Sequence, residues 1–155
     1  MISEIPWILL ADDDNDDSLF FKEALDELQL DARLTTVHDG EQLMLLLVET
    51  AENLPDVLFL DLNMPRRNGF ECLREIKQDP LLKALPVIIF STSFEQDIVD
   101  RLYALGARHY IQKPSRYSEI RKVIYQSLIL LSQEMIPGSA KDNFVLTGDL
   151  KLRQS

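Results

Sequence analysis

Apolar strand-like runs and segments of helical period alternate five times along this chain, and that alternation leaves little freedom in the fold. The runs Trp7–Ala11, Leu34–Val37, Val57–Leu60, Val87–Phe90 and His109–Gln112 are short and mostly continuous in apolar character, as strands covered on both faces require. Between them, Phe21, Ala24, Leu25 and Leu28 share one helical face, as do Leu43, Leu46 and Leu47, then Phe70 and Leu73, then Ile98, Leu102 and Leu105. Strand and helix in strict succession force parallel strands, right-handed crossovers and helices on both faces. The expected architecture is a three-layer α/β sandwich. Asp39-Gly40 and Asn68-Gly69 supply helix starts, Asp79-Pro80 a stop, and Pro86 the entry to the fourth strand.

A last helix, over about Ser118–Gln133, carries Ile120, Val123, Ile124, Leu128 and Leu131 on one stripe, with Ile129 and Leu130 off it. Its end is apolar on more than one face and needs cover, from the chain's own tail or from a partner or second copy. The tail is the simpler choice. Past Pro137-Gly138-Ser139 the sequence reads as short, polar and aperiodic. With 155 residues, 46% of them hydrophobic, the chain can bury one sizeable core, expected over residues 5–133. Residues 134–155 are too few for a second domain.

Charge narrows the partners. The formal net charge is -10, with 22 acidic and 7 basic side chains in residues 1–100 against 4 acidic and 9 basic in residues 101–155. Phosphate backbones are bound by clustered Lys and Arg, so nucleic acid is not an expected partner. The lone Cys72 can form no intrachain disulfide and reads as a small buried hydrophobe, which suits a reducing compartment. The apolar run from Trp7 is too short for a signal sequence or membrane span, and a cytoplasmic protein with no membrane partner is expected.

The polar residues at the strand exits carry the chemistry. Asp12, Asp13 and Asp14 follow the first strand, Asp61 the third, Ser91-Thr92-Ser93 the fourth and Lys113-Pro114 the fifth. Singly each has an ordinary reading: Asp14 to Asp17 as solvated or helix-capping groups, Ser91 to Ser93 as caps, Lys113 as a surface lysine. Together they line the rim where parallel α/β sheets bind ligands. Carboxylates gathered there are tolerated only with a cation or a proton. An aspartate nucleophile, a carboxylate-bound divalent ion, an ammonium and a hydroxyl are the parts of a phosphoryl-transfer site.

In these residues the chain resembles the receiver domain of two-component response regulators, over roughly residues 5–133. The resemblance is carried by Ile8-Leu9-Leu10-Ala11-Asp12-Asp13, by Val37 with Asp39-Gly40-Glu41, and by Asp61-Leu62-Asn63-Met64-Pro65 through Asn68-Gly69. It continues in Pro86-Val87-Ile88-Ile89-Phe90-Ser91 and in Gly106-Ala107 through Tyr110-Ile111-Gln112-Lys113-Pro114. The chain is most similar to single-domain regulators, those paired with bacterial phytochromes or those of chemotaxis. The resemblance implies a flavodoxin-like (βα)5 fold with five parallel strands in the order 2-1-3-4-5, and no output domain.

It also implies roles. Asp61 is the expected phosphoacceptor, taking its phosphoryl group from a phosphohistidine on a sensor histidine kinase or histidine phosphotransfer protein. Mg2+ is the expected cofactor, bound by Asp13 directly, by Asp12 mainly through water, by Asp61, and by the backbone carbonyl of Asn63. Ser91, chosen by its distance from Pro86, is the expected switch hydroxyl, Tyr110 its aromatic partner and Lys113 the phosphoryl-binding cation. The Lys113–Pro114 bond is expected to be cis. His38 and His109 fall outside the pocket, and Ser115 stands where an aromatic is common. The protein is then no enzyme beyond self-catalysed phosphorylation and dephosphorylation. Its output is a protein-binding surface on the fourth helix, fifth strand and last helix, open to an unknown target or to a homodimer. The first helix, with Leu19 and Phe20 off its buried stripe, is the expected kinase-docking surface. A phosphorelay intermediate or phosphate sink would use the same site. A Mg-dependent aspartate-nucleophile phosphatase of the haloacid dehalogenase type needs a second acid two residues beyond the nucleophile, where Asn63 stands.

Overall fold

In the computed structural model, which describes residues 5–29, 31–132 and 144–147, strands and helices follow the expected alternation. They are β1 Trp7–Ala11, α1 Asn15–Glu27, β2 Arg33–Val37, α2 Gly40–Glu49, β3 Val57–Leu60, α3 Gly69–Gln78, β4 Val87–Ser91, α4 Gln96–Leu105, β5 His109–Gln112, α5 Tyr117–Ser132 and β6 Val145–Leu146. The sheet is parallel throughout, in the order β2-β1-β3-β4-β5-β6.

Side chains alternate across the pleat, so each inner strand feeds two cores. Leu9, Leu58, Leu60, Val87 and Ile89 face α2, α3 and α4, meeting Leu43, Leu47, Leu73, Ile76 and Leu102. Ile8, Leu10, Phe59, Ile88 and Phe90 face α1 and α5, meeting Phe21, Leu25, Ile124 and Leu128. Phe21, Phe59 and Phe90 lock the second core edge to face, with centroids 4.9, 5.7 and 6.4 Å apart. Each large apolar side chain buried in this way contributes about 1.5–3 kcal/mol.

Local sequence sets the helix starts. Asp14 caps α1 through the Asp16 and Asp17 N–H groups, and Asp39 caps α2 through that of Gln42. Asn68 and Glu71 close a reciprocal capping box on α3. Among the described residues no helix is long and apolar enough to cross a membrane.

Two expectations are corrected. The sheet has six strands, because residues of the tail return as β6 alongside β5. The Tyr110 N–H donates to the Phe144 carbonyl at 2.8 Å, the Phe144 ring lies edge-on to Tyr103 at 5.2 Å, and Leu146 joins the core under α1 and α5. Phe144, Val145 and Leu146 are too few to show a period within a polar tail, so sequence patterning could not announce them. Leu146 adds cover to the buried stripe of α5, while Phe144 and Val145 pack on the other face of the sheet. Gln133 and Pro137-Gly138-Ser139 lie outside the described residues. Second, no peptide bond among the described residues is cis, so Lys113–Pro114 is trans. Proline lowers the preference for trans to about 0.5–1 kcal/mol, small enough for either isomer to be accommodated by the surrounding loop.

Phe144 is 3% exposed, so Phe144→Ala should lower the unfolding free energy by about 3–5 kcal/mol in urea titration. A change below about 1 kcal/mol would mean that β6 is not docked in solution.

Candidate functional site

Three backbone hydrogen bonds continue the sheet past its strands and fix the site. The Asp12 N–H donates to the Val37 carbonyl at 3.0 Å, the Asp61 N–H to Ala11 at 2.9 Å, and the Lys113 N–H to Ser91 at 2.7 Å. Each site residue is thus tied to a neighbouring strand at the C-terminal edge. The loop after Asp61 is held as firmly from the other side. A Cβ on Gly69 would meet the Asp61 carbonyl oxygen at 2.4 Å, and one on Gly40 would meet that of Arg67 at 2.0 Å. Only glycine permits these approaches. Arg66 completes the turn with φ 70° and reaches Asp39 at 3.3 Å.

Carboxylate oxygens of Asp12, Asp13 and Asp61 lie within 4.8 Å of one another. Asp12 is fully buried and Asp61 is 6% exposed, whereas Asp13 opens to solvent. One Asp12 oxygen accepts the Asp14 N–H at 2.9 Å, and one Asp61 oxygen the Asn63 N–H at 3.3 Å. The Lys113 ammonium faces the rest: 2.7 Å from Asp12, 2.8 Å from Asp17 and 3.6 Å from Asp61. The shortest of these is a charge contact without hydrogen-bond alignment, so Asp12 Oδ2 is buried with no hydrogen-bond partner. Three carboxylates with oxygens in ligand-sharing range fit a hard divalent cation.

The electrostatics agree. Burial pushes Asp61 up to about 6, with Asp12 and Asp13 adding to the rise and Lys113 opposing it. Asp12 is raised as well, chiefly by burial against the pull of Lys113. Burial alone would lower the Lys113 ammonium, but the Asp12 and Asp17 carboxylates more than offset it and hold it above the ordinary lysine range. Its stem also passes the Phe90 face, with Nζ 5.4 Å from the ring centroid.

Ser91 is fully buried, its hydroxyl 3.3 Å from that of Ser93, while Thr92 points to solvent. Tyr110 is already turned inwards and fully buried, its hydroxyl donating to the Ser93 carbonyl and its ring edge-on to Phe94 at 5.7 Å. Asn63 lies at the exposed loop surface two residues beyond Asp61. His38 reaches the backbone carbonyl of Asp12 at 3.3 Å, and His109 sits buried at the start of β5 opposite Ile88. The residue that sequence reasoning passed over is Asp17, taken for a helix-capping or solvated group. Its one signal was position: a turn beyond Asp13, at the start of α1, it overhangs the same rim.

The raised Asp61 has a direct consequence. A folded-state pKa of about 6 against an ordinary 3.8 means that the folded protein binds the proton more tightly than the unfolded chain. Metal-free stability therefore declines as pH rises through about 4 to 6. Asp61→Asn, which removes the buried charge, should stabilise the chelator-treated protein at pH 7 by on the order of 1–3 kcal/mol, and by less towards pH 4. Urea unfolding of parent and variant across that range checks this, and a difference independent of pH would refute it.

Known proteins share both sequence and fold. The family model for the response regulator receiver domain matches residues 8–125. Response regulator Rcp1 of Synechocystis sp. is 35% identical over 121 residues, covering 76% of this chain and 82% of that protein. The crystal structure of the phosphorylated cyanobacterial phytochrome response regulator RcpA superposes with a TM-score of 0.74 at 33% identity, covering 86% of this chain and 97% of that one. The Mn(2+)-bound form of response regulator Rcp1 gives 0.72 at 32% identity, covering 85% and 97%. With its parallel sheet and its carboxylates gathered beside Lys113, this chain belongs to the family of response regulator receiver domains.

Proposed function

We propose that the chain holds a receiver domain of about residues 5–133 that accepts one phosphoryl group on Asp61 from the phosphohistidine of a sensor histidine kinase or a histidine phosphotransfer protein. The observation that carries this reading is the buried Asp61 carboxylate beside a lysine ammonium and two further carboxylates. Its likeness to a phosphorylated phytochrome response regulator and to a manganese-bound one supports the same assignment.

Asp12, Asp13, Asp61 and the Asn63 carbonyl are the proposed ligands of Mg2+, which when bound would neutralise the phosphoryl oxygens. An Asp61 oxygen attacks phosphorus and forms the new O–P bond. The P–N bond to the donor imidazole breaks, and its electron pair returns to the ring nitrogen. Desolvation favours this step, because a carboxylate stripped of water gains by sharing its charge with an electrophile. Lys113 supplies a positive group 3.6 Å from Asp61, close enough to bind a phosphoryl oxygen after a small movement.

The signal would leave through Ser91 and Tyr110. Both contact the loop at Ser93: Ser91 through the hydroxyl pair, Tyr110 through the carbonyl. A phosphoryl group that draws Ser91 towards it disturbs the loop on which the Tyr110 hydroxyl rests, and with it α4 and β5. The outer edge of β5 is already paired with β6. A target or second copy would therefore meet helix surfaces and β6 instead of a bare strand.

Acetyl phosphate with Mg2+ tests the reading. Intact-mass measurement should show one phosphoryl group on the parent, none on Asp61→Asn, and at least about tenfold less on Lys113→Met. Equal labelling of Asp61→Asn would refute the assignment, rapid turnover without accumulation would favour a phosphatase, and no labelling would leave a binding module.

A further inference from the structure

Lys113 is shared, and its nearer partners are not the phosphoacceptor. Its ammonium stands 2.8 Å from Asp17 and 3.6 Å from Asp61. An ammonium has three donors. One of them is given to Asp17, and the Asp12 carboxylate is also a closer ion-pair partner than Asp61. Asp17 is not needed for the helix cap, since Asp14 supplies that by accepting the Asp16 and Asp17 N–H groups. Its carboxylate instead spans 96 residues of chain separation to meet Lys113, whose side chain is only 8% exposed. A partly buried pair of this kind is screened less by salt than a surface pair and costs more to part.

We propose that Asp17 is a positioning residue that holds Lys113 back from Asp61 and so sets how readily the phosphoryl group is gained. The proposal rests on the phosphoacceptor reading of Asp61. Anionic phosphoryl oxygens arriving at Asp61 must draw the ammonium across from Asp17. They must also do so against the negative charge that Asp17 adds to the pocket mouth. Both effects oppose capture. Removing the charge while keeping the shape should therefore speed the reaction.

Acetyl phosphate is the probe. An Asp61 oxygen bonds to phosphorus, the P–O bond to acetate breaks, and acetate leaves with the electron pair, so no proton or electron carrier is required. The measurement is the labelling rate of the full chain with Mg2+ at donor concentrations below saturation, followed by intact mass at several ionic strengths. Asp17→Asn should label about fivefold faster than the parent, with weaker acceleration by added salt. Asp17→Glu, which restores the charge, should return the rate towards the parent's. Asp16→Asn is the control, because it removes an acid from the same first turn of α1 without touching Lys113; its rate should stay within about twofold of the parent's. The proposal is overturned if Asp17→Asn labels at the parental rate or more slowly, or if Asp16→Asn accelerates equally. A parent that takes no label fails differently, removing the phosphoacceptor reading and this inference together.

Discussion

One ammonium among four carboxylates is the interaction on which the rest of the molecule depends. Lys113 touches Asp12 and Asp17 and stands near Asp61, while Asp13 shares ligand range with Asp12 and Asp61. No short stretch of chain could hold these groups together, since they come from the loop after β1, from α1, and from the loops after β3 and β5. A parallel sheet solves the problem by ending successive strands on one side. The bonds from Asp12 to Val37, Asp61 to Ala11 and Lys113 to Ser91 carry the regularity of the sheet one residue into the loops. Rigidity of the core becomes precision at the rim.

The closeness of the loops has its own cost in sequence freedom. Gly69 lies against the Asp61 backbone and Gly40 against that of Arg67. A methyl group at either place would push the β3–α3 loop outward and carry Asn63 with it. Arg66 tolerates a left-handed backbone there while its guanidinium spans Asp39 and Glu41. The acidic loop after β2 is thereby tied to the loop after β3. Stability and site geometry are set by the same residues here.

Most of the fold could be read from the sequence because the inner strands β1, β3 and β4 are buried on both faces and the helices bury one apolar face. β1, β3 and β5 match their expected limits, and β2 and β4 differ by one residue at one end. Periodicity works where burial repeats, as in the stripe Ile120, Val123, Ile124, Leu128 and Leu131 of α5. It fails at β6, where among the described residues of the tail Phe144 and Leu146 are buried and two positions are too few to show a period. The candidate site was legible for a related reason: Asp12, Asp61 and Lys113 sit at strand ends, and strand ends are visible. Asp17 was not, since within a helix its acid resembles any first-turn acid, and only the distant Lys113 gives it a purpose. The isomer at Pro114 was not legible either, because the energy that decides it is smaller than that of a single loop contact.

Charge balance in the pocket links protonation to cation binding. Burial makes each of Asp12 and Asp61 reluctant to ionise, and Lys113 can offset only part of that. Its attention is also divided with Asp17. The remaining deficit must be met by a proton or by an external cation, and the two exclude one another at the same oxygens. Acidic conditions should therefore weaken divalent binding as protons occupy the raised carboxyls. At neutral pH the anionic pocket can draw a divalent ion, because among the described residues Lys113 is the cation in contact with these carboxylates and it offsets only part of their charge. Lys113 stands 2.7 Å from Asp12 but 3.6 Å from Asp61, so the Asp61 carboxylate is the less fully neutralised of the two. A pocket in which one ammonium faces several carboxylates can therefore accept a further positive charge, and the proton and the divalent ion compete for that place.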